Sequence, residues 1–370
     1  MKKILFLIHD LGEGGAEKVL VNLVNNMDYS KFDVTVMTLF DYGVNRQFLN
    51  DKVHYKTWSK KMIKGNSYLM KMLSPKQLHD LIIKDYYDIE VAYLEGPSAR
   101  VISGCQNKNT KLVSWIHIEQ HTAKKGSCSF RSLNEAENCY NKFNKIICVS
   151  NTVKQDFSSI FDIKVPVEVF YNTNETNQII KLAEESVTAV TYDDNVVNLV
   201  GVGKLLPNKG FDRMIRIVKQ LTEENYKLHL YILGIGPQQK ELEKMIEDYS
   251  LQSCVTLLGY RTNPYKYVKN CDLFICASHA EGFSTAATEA LIVGTPVCTV
   301  EVSGMKEMLG NNNEFGIVVN NDDQSLYQGI KYLLDNLDKL KYYSNQALLR
   351  GKDFSTEQTV RAVENMLLSL

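Results

Sequence analysis

The sequence lacks the features that mark several protein classes. None of its apolar runs approaches the roughly 18 residues that a membrane-spanning helix needs. Its eight cysteines include no CxxC pair, and its histidines show no metal-ligand spacing. The formal net charge of −1 gives no reason to expect nucleic acid as a partner of the whole molecule. These absences leave an ordinary globular protein. Several cysteines lie inside apolar runs, such as Ile147-Cys148-Val149, which predicts buried, reduced thiols in a cytosolic protein.

The N-terminal half has two distinguishing features. The apolar run Ile4–Ile8 has only five residues and ends at His9, so it predicts a first β-strand rather than a signal peptide. Residues 1–180 hold 23 Lys and Arg against 19 Asp and Glu, whereas the remaining residues hold 19 against 24. The basic excess therefore lies in the N-terminal half.

Short apolar runs alternate with amphipathic stretches of helix length along the whole chain. The predicted strands are Lys3–Ile8, Val34–Leu39, Ile89–Tyr93, Leu112–Ile116, Lys145–Val149, Val197–Val202, Leu228–Leu233, Val255–Leu258, Leu273–Cys276, Val297–Val300 and Gly316–Val319. The predicted helices include Ala16–Met27, Phe211–Leu221 and Gln238–Tyr249. Apolar strands separated by helices indicate parallel sheets covered on both faces, so the two series predict two Rossmann-like α/β domains. We assign residues 1–175 to the first domain, 176–195 to a polar linker and 196–354 to the second domain.

Glycine-rich loops follow the first strand of each predicted domain. Gly12, Gly14 and Gly15 precede the first helix, where free backbone N–H groups form an anion site. The spacing is not the GxGxxG dinucleotide pattern, and a simple tight turn is an equal alternative. In the second domain, Lys204 and Lys209 lie five positions apart between glycines at a helix start. Two exposed lysines are the ordinary interpretation of such a pair. Its position after a predicted strand, with Lys209-Gly210-Phe211 at the helix start, favours a pyrophosphate site instead.

The stretch from Ala280 to Pro296 places two carboxylates around a helix start. Glu281 precedes the turn Gly282–Thr285, and Glu289 lies one turn into the helix that Gly294 and Pro296 end. A helix N-terminus donates hydrogen bonds and a carboxylate accepts them, so together they suit a ligand with several hydroxyls, such as a sugar. Taken alone, the two glutamates are more simply an exposed loop acid and a solvated helix residue.

The motifs together resemble the family 4 retaining glycosyltransferases of the GT-B fold. The matching segments, in order, are Gly14-Gly15-Ala16-Glu17, Val149-Ser150, Val169–Asn174, Gly203–Phe211, Leu233–Pro237, Leu258–Arg261, Glu281–Glu289 with its EX7E spacing, and Ser303-Gly304. The resemblance implies two Rossmann-like doubly wound domains with the donor site in the cleft between them. It also implies that the last helix, 355–370, which begins with a capping-box sequence, returns to the first domain.

The resemblance assigns roles to individual residues. Lys204, Lys209, Glu281 and His117 are the implied catalytic group, although the family usually has arginine where Lys204 stands, and lysine loses the bidentate geometry. The implied donor-binding residues are Gly14, Gly15, Tyr260, Arg261, Phe283, Ser284, Thr285 and Glu289. Glu281 would anchor the sugar, and Glu289 the ribose hydroxyls.

His117 follows a predicted strand at the end where α/β sheets bind ligands, and His121 is a nearby competitor. A lone histidine is more often structural. By the resemblance, His117 is the better candidate, as a hydrogen-bond partner of a sugar hydroxyl or of the acceptor site and not as a general base.

The implied reaction is transfer of a hexosyl or N-acetylhexosaminyl unit from a nucleotide-diphosphate sugar, with UDP-sugars favoured. Retention of configuration and independence of metals or cofactors belong to the same implication; the adjacent pairs Asp193-Asp194 and Asp322-Asp323 read as solvated turns rather than a metal motif. The favoured acceptor is a lipid-linked glycan in capsule or other surface-polysaccharide synthesis, at the cytosolic face of the membrane. A GT-B UDP-sugar epimerase and a non-catalytic GT-B partner subunit remain alternatives.

A basic segment in the first domain bears on membrane contact. Lys56 to Lys76 contains six lysines, no acidic residue and several apolar side chains. It predicts either a solvated helix face or an amphipathic patch that touches anionic lipid. The second interpretation would suit a lipid-linked acceptor.

Overall fold

The computed structural model describes residues 1–12, 14–61, 70–193 and 195–370. The chain divides into two compact units. The first unit contains residues 1–174 and 356–370, and the second contains residues 175–355.

A parallel sheet forms the centre of the first unit, and its described part has seven strands. They are β1 (Lys2–Ile8), β2 (Phe32–Phe40), β3 (His54–Ser59), β4 (Ile89–Ala92), β5 (Lys111–Ile116), β6 (Lys145–Cys148) and β7 (Val167–Val169). Their order is β3-β2-β1-β4-β5-β6-β7, so the order reverses direction between β1 and β4. β1 is buried from Ile4 to Ile8, as a central strand covered on both faces must be.

The helices of the first unit connect these strands. They are α1 (Gly15–Asn25), α2 (Pro75–Ile82), α3 (Pro97–Ile102), α4 (Ala123–Gly126), α5 (Leu133–Tyr140) and α6 (Asn151–Ile160), with a 3-10 turn at Val44–Phe48. Ser74 caps α2 in a reciprocal capping box with Gln77. Ser150 likewise accepts a hydrogen bond from the backbone N–H of Val153 at the start of α6.

The second unit has its own parallel sheet, with six strands in the described residues. They are β8 (Val197–Val202), β9 (Leu228–Leu233), β10 (Val255–Gly259), β11 (Leu273–Cys276), β12 (Val297–Val300) and β13 (Ile317–Val319), in the order β10-β9-β8-β11-β12-β13. This is the doubly wound Rossmann order, whose reversal between β8 and β11 marks the expected ligand site. Every strand predicted from the sequence is present, with bounds that move by at most two residues.

Eight helices of the second unit lie in the described residues. They are α7 (Thr176–Ala183), α8 (Phe211–Glu223), α9 (Gln239–Asp248), α10 (Tyr265–Lys269), α11 (Thr285–Val293), α12 (Met305–Leu309), α13 (Asp323–Asp335) and α14 (Leu337–Gly351), with 3-10 turns at Pro207–Lys209 and Lys352–Phe354. Helix α7 occupies part of the predicted linker, so that segment is not purely a polar connection. Its Ile179 and Ala183 are buried against Tyr265 and Ile292, which stabilises the helix through packing.

The last helix, α15 (Thr356–Ser369), belongs to the first unit. The ammonium of Lys2 donates to the carbonyl of Leu367 at 3.1 Å. The backbone N–H of Asp28 donates to the Glu364 carboxylate at 2.6 Å, and the Thr356 hydroxyl donates to the carbonyl of Asn174 at 2.6 Å. These bonds join the helix to the start of the chain and to the residue where the first unit ends.

The interpretation of Lys56–Lys76 as one helix face is wrong in its first part, and the alternative of a surface patch stays a prediction. Lys56 lies in edge strand β3, pairs with β2, and forms an ion pair with Asp85 at 2.5 Å. Lys76 is in α2, a different element. Residues 62–69, with Lys64, lie outside the described residues. Each helix that the structure describes is too short or too polar to span a bilayer.

Candidate active site

Two predicted site residues meet at the point where the order of the second sheet reverses. Lys209 follows β8 and Glu281 follows β11, and these strands are neighbours. The Lys209 ammonium lies 2.7 Å from Glu281 Oε1, and the Ser278 hydroxyl donates to the same oxygen at 2.6 Å. The carboxylate is 12% exposed and the lysine 27%, so both ends of the pair remain open to a ligand. A cation and a hydrogen-bond acceptor therefore lie side by side, which suits the phosphate and the hydroxyls of a phosphorylated sugar.

The backbone between Lys204 and α8 is fixed by close contacts. Lys204 is half-buried in the loop after β8. Gly210 has φ +68°, and a Cβ there would lie 2.1 Å from the carbonyl oxygen of Ala277, so only glycine lets this loop pack on the end of β11. The backbone N–H of His279 also donates to the carbonyl of Asn208 at 2.7 Å. These contacts bring the lysine loop and the Glu281 loop together.

Helix α11 carries the second glutamate. The Ser284 hydroxyl caps the helix by accepting a hydrogen bond from the N–H of Ala287 at 3.3 Å. Thr285 is the first helical residue, and Phe283 is buried with its ring 5.8 Å from that of Phe354. Glu289 is only 7% exposed, so the interpretation as a solvated helix residue is wrong.

A polar contact helps to hold Glu289 in that buried position. Its Oε1 lies 3.5 Å from the Tyr265 hydroxyl, which is a long hydrogen bond. Glu289 is therefore a buried carboxylate rather than a surface charge, and its contact with a ribose stays a prediction.

Tyr260 and Arg261 lie apart from this group in the sheet. They follow β10, which is separated from β11 by β9 and β8. Tyr260 is 58% exposed, whereas Arg261 Nε is buried without a hydrogen-bond partner. The structure therefore places them at the edge of the second sheet, and their contact with a donor stays a prediction.

Arg213 is a residue that the sequence analysis missed. Its guanidinium is 3% exposed and donates to the carbonyl of Ala277 at 3.2 Å, to Asn321 Oδ1 at 2.8 Å and to Asp323 Oδ1 at 3.0 Å. It also contacts His279 Nδ1 at 3.2 Å. Arg213 thus ties α8 to the loop that carries Glu281 and to the start of α13.

One sequence feature marks Arg213 in retrospect. A charged residue stands at an inward position of an otherwise amphipathic helix, between Phe211 and Met214. Its partner Asp323, whose side chain is 46% exposed, also accepts from Arg216 at 2.9 Å.

In the first unit, Gly14 and Gly15 lie at the N-terminus of α1, after β1. The Asp10 carboxylate accepts from the N–H of Gly12 at 2.8 Å, and the Asn45 amide donates to the carbonyl of Gly12. Glu17 folds back over this helix start: a Cβ on Gly14 would stand 2.0 Å from Glu17 Oε2. The carboxylate therefore already lies where an anion would bind, and a phosphate here has to compete with it.

His117 is buried behind the end of β5, at 6% exposure. Its ring lies 4.9 Å from that of Tyr93, and its backbone N–H donates to Glu95 Oε2 at 2.9 Å. Burial lowers the pKa of His117 to about 3 and raises the pKa of Glu95. The imidazole is therefore neutral at ordinary pH, which suits a hydrogen-bonding group.

The His117 Nε2 is buried without a protein partner, an arrangement that is rare unless water or a ligand supplies one. The competing His121 is exposed, with φ +60°, and its N–H donates to Asp156 at 3.0 Å. The Asp156 carboxylate thus stabilises the backbone of the turn at His121.

Profiles of known protein families match the sequences of both units. The profile of glycosyl transferases group 1 matches residues 189–350, and that of glycosyltransferase family 4 matches residues 13–178. The chain belongs to the family 4 glycosyltransferases. The family predicted from the motifs is thus confirmed.

Several relatives of this glycosyltransferase carry a curated name. The N-acetylgalactosamine-N,N'-diacetylbacillosaminyl-diphospho-undecaprenol 4-alpha-N-acetylgalactosaminyltransferase of Campylobacter jejuni is 28% identical over 380 residues, which covers 100% of both chains. The poly(ribitol-phosphate) alpha-N-acetylglucosaminyltransferase of Staphylococcus aureus is 24% identical over 260 residues, 69% of this chain and 50% of the relative.

Solved structures confirm the GT-B fold of this glycosyltransferase. The Anabaena protein Alr3699/HepE, in complex with UDP and glucose, has a TM-score of 0.78 at 21% identity over 100% of both chains. Sucrose-phosphate synthase from Thermosynechococcus elongatus has a TM-score of 0.79 at 14% identity, covering 100% of this chain and 99% of that one.

Proposed function

We propose that this glycosyltransferase moves a hexosyl or N-acetylhexosaminyl unit from a UDP-sugar to a lipid-linked glycan, with retention of configuration. The observation that carries the proposal is the Lys209–Glu281 contact of 2.7 Å at the switch point of the second sheet. The site offers a positive charge for a diphosphate and, next to it, a hydrogen-bond acceptor for sugar hydroxyls.

The second unit would bind the two ends of the donor through different groups. Lys204 and Lys209 would neutralise the diphosphate, whose charge increases as the bond to the sugar breaks. Glu281 would accept from the sugar hydroxyls, and Glu289 from the ribose hydroxyls. We propose that these lysines take the part that a metal ion plays in other transferases.

The groups around Glu281 are the reason for proposing that the sugar keeps its configuration. Its Oε1 is already occupied by Lys209 and Ser278, so the carboxylate is better prepared to hold a hydroxyl than to attack the sugar. The acceptor would attack the sugar on the same face from which the diphosphate departs, assisted by an oxygen of the leaving phosphate. This route would retain the configuration without an enzymatic nucleophile.

The donor and acceptor classes are proposed by analogy. The Alr3699/HepE neighbour was solved with UDP and glucose, and the Campylobacter relative is named for a diphospho-undecaprenol acceptor. A lipid-linked acceptor would place the enzyme at the inner face of the membrane, in surface-polysaccharide synthesis. The described lysines Lys56, Lys60, Lys61 and Lys76 are exposed and supply positive charge for such contact.

The test combines binding and product analysis. The protein is screened by thermal unfolding against UDP, GDP and ADP in EDTA. It is then incubated with sugars of the nucleotide that binds, with and without a lipid-linked glycan acceptor. We expect UDP to raise the unfolding temperature and an α-linked product to form from an α-linked donor. An inverted product would contradict retention, and a new UDP-sugar formed without acceptor would indicate an epimerase instead. Retention of the protein by anionic vesicles at low salt tests the membrane proposal separately.

A further inference from the structure

Three metal-ligand side chains converge in the first unit, away from the residues assigned to sugar transfer. They are His79 in α2, Glu90 in β4 and Cys105 after α3, and their ligand atoms lie within 4.8 Å of one another. His79 Nε2 is 2.9 Å from Glu90 Oε2. Because the three residues come from three different elements, the cluster has no short sequence spacing that would have marked it.

The buried carboxylate gives this cluster its chemical interest. Glu90 is 2% exposed within the central part of the sheet, where an unpaired carboxylate is costly. The described structure supplies His79 as its partner, itself 12% exposed. The thiol of Cys105 is half-buried, so the cluster opens to solvent on that side.

The backbone brings Cys105 to this position through a close approach. A Cβ on Gly104 would lie 2.0 Å from the carbonyl oxygen of Pro75 and 2.9 Å from the Cβ of His79. The glycine therefore lets the end of α3 pack directly on α2. A larger residue at 104 would push Cys105 away from the imidazole.

We propose that His79, Glu90 and Cys105 form a binding site for Zn²⁺. Nitrogen, sulfur and carboxylate oxygen are the zinc ligands of proteins, whereas Mg²⁺ and Ca²⁺ require oxygen alone. Ligand atoms around a tetrahedral zinc ion lie about 3.5 Å apart. The 2.9 Å contact between His79 and Glu90 therefore has to open slightly, and all three ligand atoms start within 4.8 Å of one another. The open side leaves a fourth position for water.

The orientation of the His79 ring directs one nitrogen at the cluster. Nε2 faces Glu90, whereas Nδ1 lies 4.0 Å from Oδ1 of the exposed Asp80, which is too far for a direct hydrogen bond. The bound ion would join α2, α3 and β4, and would thereby stabilise the first unit.

The experiment measures metal binding on the full chain and needs no activity. Chelator-treated protein is titrated with Co²⁺, followed by absorption, and Zn²⁺ is then added to displace it. We expect one Co²⁺ per chain with a thiolate-to-cobalt charge-transfer band. The band should be lost in Cys105→Ser and retained in Cys128→Ser, an exposed cysteine outside the cluster. Zn²⁺ should also raise the unfolding temperature of the wild type, and affinity should fall at least about tenfold in His79→Gln.

Two results would overturn the proposal. One is a Co²⁺ complex without a thiolate band; the other is a band that persists in Cys105→Ser. Unfolding of the metal-free variants at the wild-type temperature shows that a lost band reports a lost ligand and not a lost fold.

Discussion

Replacement of Lys209 by alanine probes the proposed chemistry at its most defined contact. The change removes the ammonium that lies 2.7 Å from Glu281 Oε1 and leaves the Ser278 hydroxyl on that oxygen. Charge on the departing diphosphate is greatest in the transition state, so the loss should fall on kcat rather than on KM. Removing one such stabilising group costs about 3–4 kcal/mol of barrier, or about 100- to 1,000-fold in kcat.

The effect on stability should be much smaller. Lys209 and Glu281 are 27% and 12% exposed, so solvent weakens their attraction and the variant should lose about 1 kcal/mol of unfolding free energy. That loss corresponds to a fall of about 3 °C in Tm. Lys219→Ala is a control in the following helix, α8, because Lys219 pairs with Glu223 at 2.6 Å and both side chains are exposed, by 39% and 62%. Lys209→Arg should recover part of kcat.

The assay measures kcat and KM for transfer from the UDP-sugar that binds. Suppose that Lys209→Ala kept kcat within about threefold of wild type while donor binding weakened. Lys209 would then stabilise only the bound donor before the reaction, and its proposed role in the transition state would be refuted.

Three further changes test other parts of the account. Glu289→Gln should raise the nucleotide Kd about 10-fold or more by titration calorimetry, because it removes a buried charged acceptor; unchanged binding would remove Glu289 from the nucleotide site. Arg213→Lys should lower kcat about tenfold by loosening the Glu281 loop, whereas Arg216→Lys, whose side chain is 42% exposed, serves as the control and should change little. The pKa of His117 is 6.5 in the unfolded chain and about 3 in the folded chain. Between those pH values only the unfolded chain is protonated at His117, so the stability that depends on this residue is complete above pH 6.5 and is lost as the pH falls toward 3. Urea unfolding should show a slope of up to about 1.4 kcal/mol per pH unit that His117→Phe removes; an unchanged slope would place His117 in solvent.

Continuous apolar strands made the fold predictable. Among the central strands, β1 is buried from Ile4 to Ile8 and β8 from residue 198 to residue 201, so apolar residues predominate in both sequences. The two missed strands form the two opposite edges of the first sheet: β3 has no buried residue, and β7 has only three residues. Without burial, the sequence of β3 carries no apolar pattern, and its lysine suggested a basic helix instead.

The candidate site was predictable where a local sequence pattern marks a residue, and less so where a residue contacts only distant parts of the protein. Lys209 and Glu281 stood out because glycines and a helix start surround them. Arg213 contacts only other protein groups, from segments more than 60 residues away in sequence, and no local pattern records such contacts. The zinc ligands were missed for the same reason.

Binding of UDP to the purified chain in EDTA is the most direct test of the central claim, that lysines and glutamates of the second unit hold a nucleotide-diphosphate sugar without a metal. We predict saturable binding in titration calorimetry, equal with EDTA and with Mg²⁺, and lost when Lys204 and Lys209 are both replaced by alanine. Binding that requires Mg²⁺, or that survives the double replacement, would contradict it.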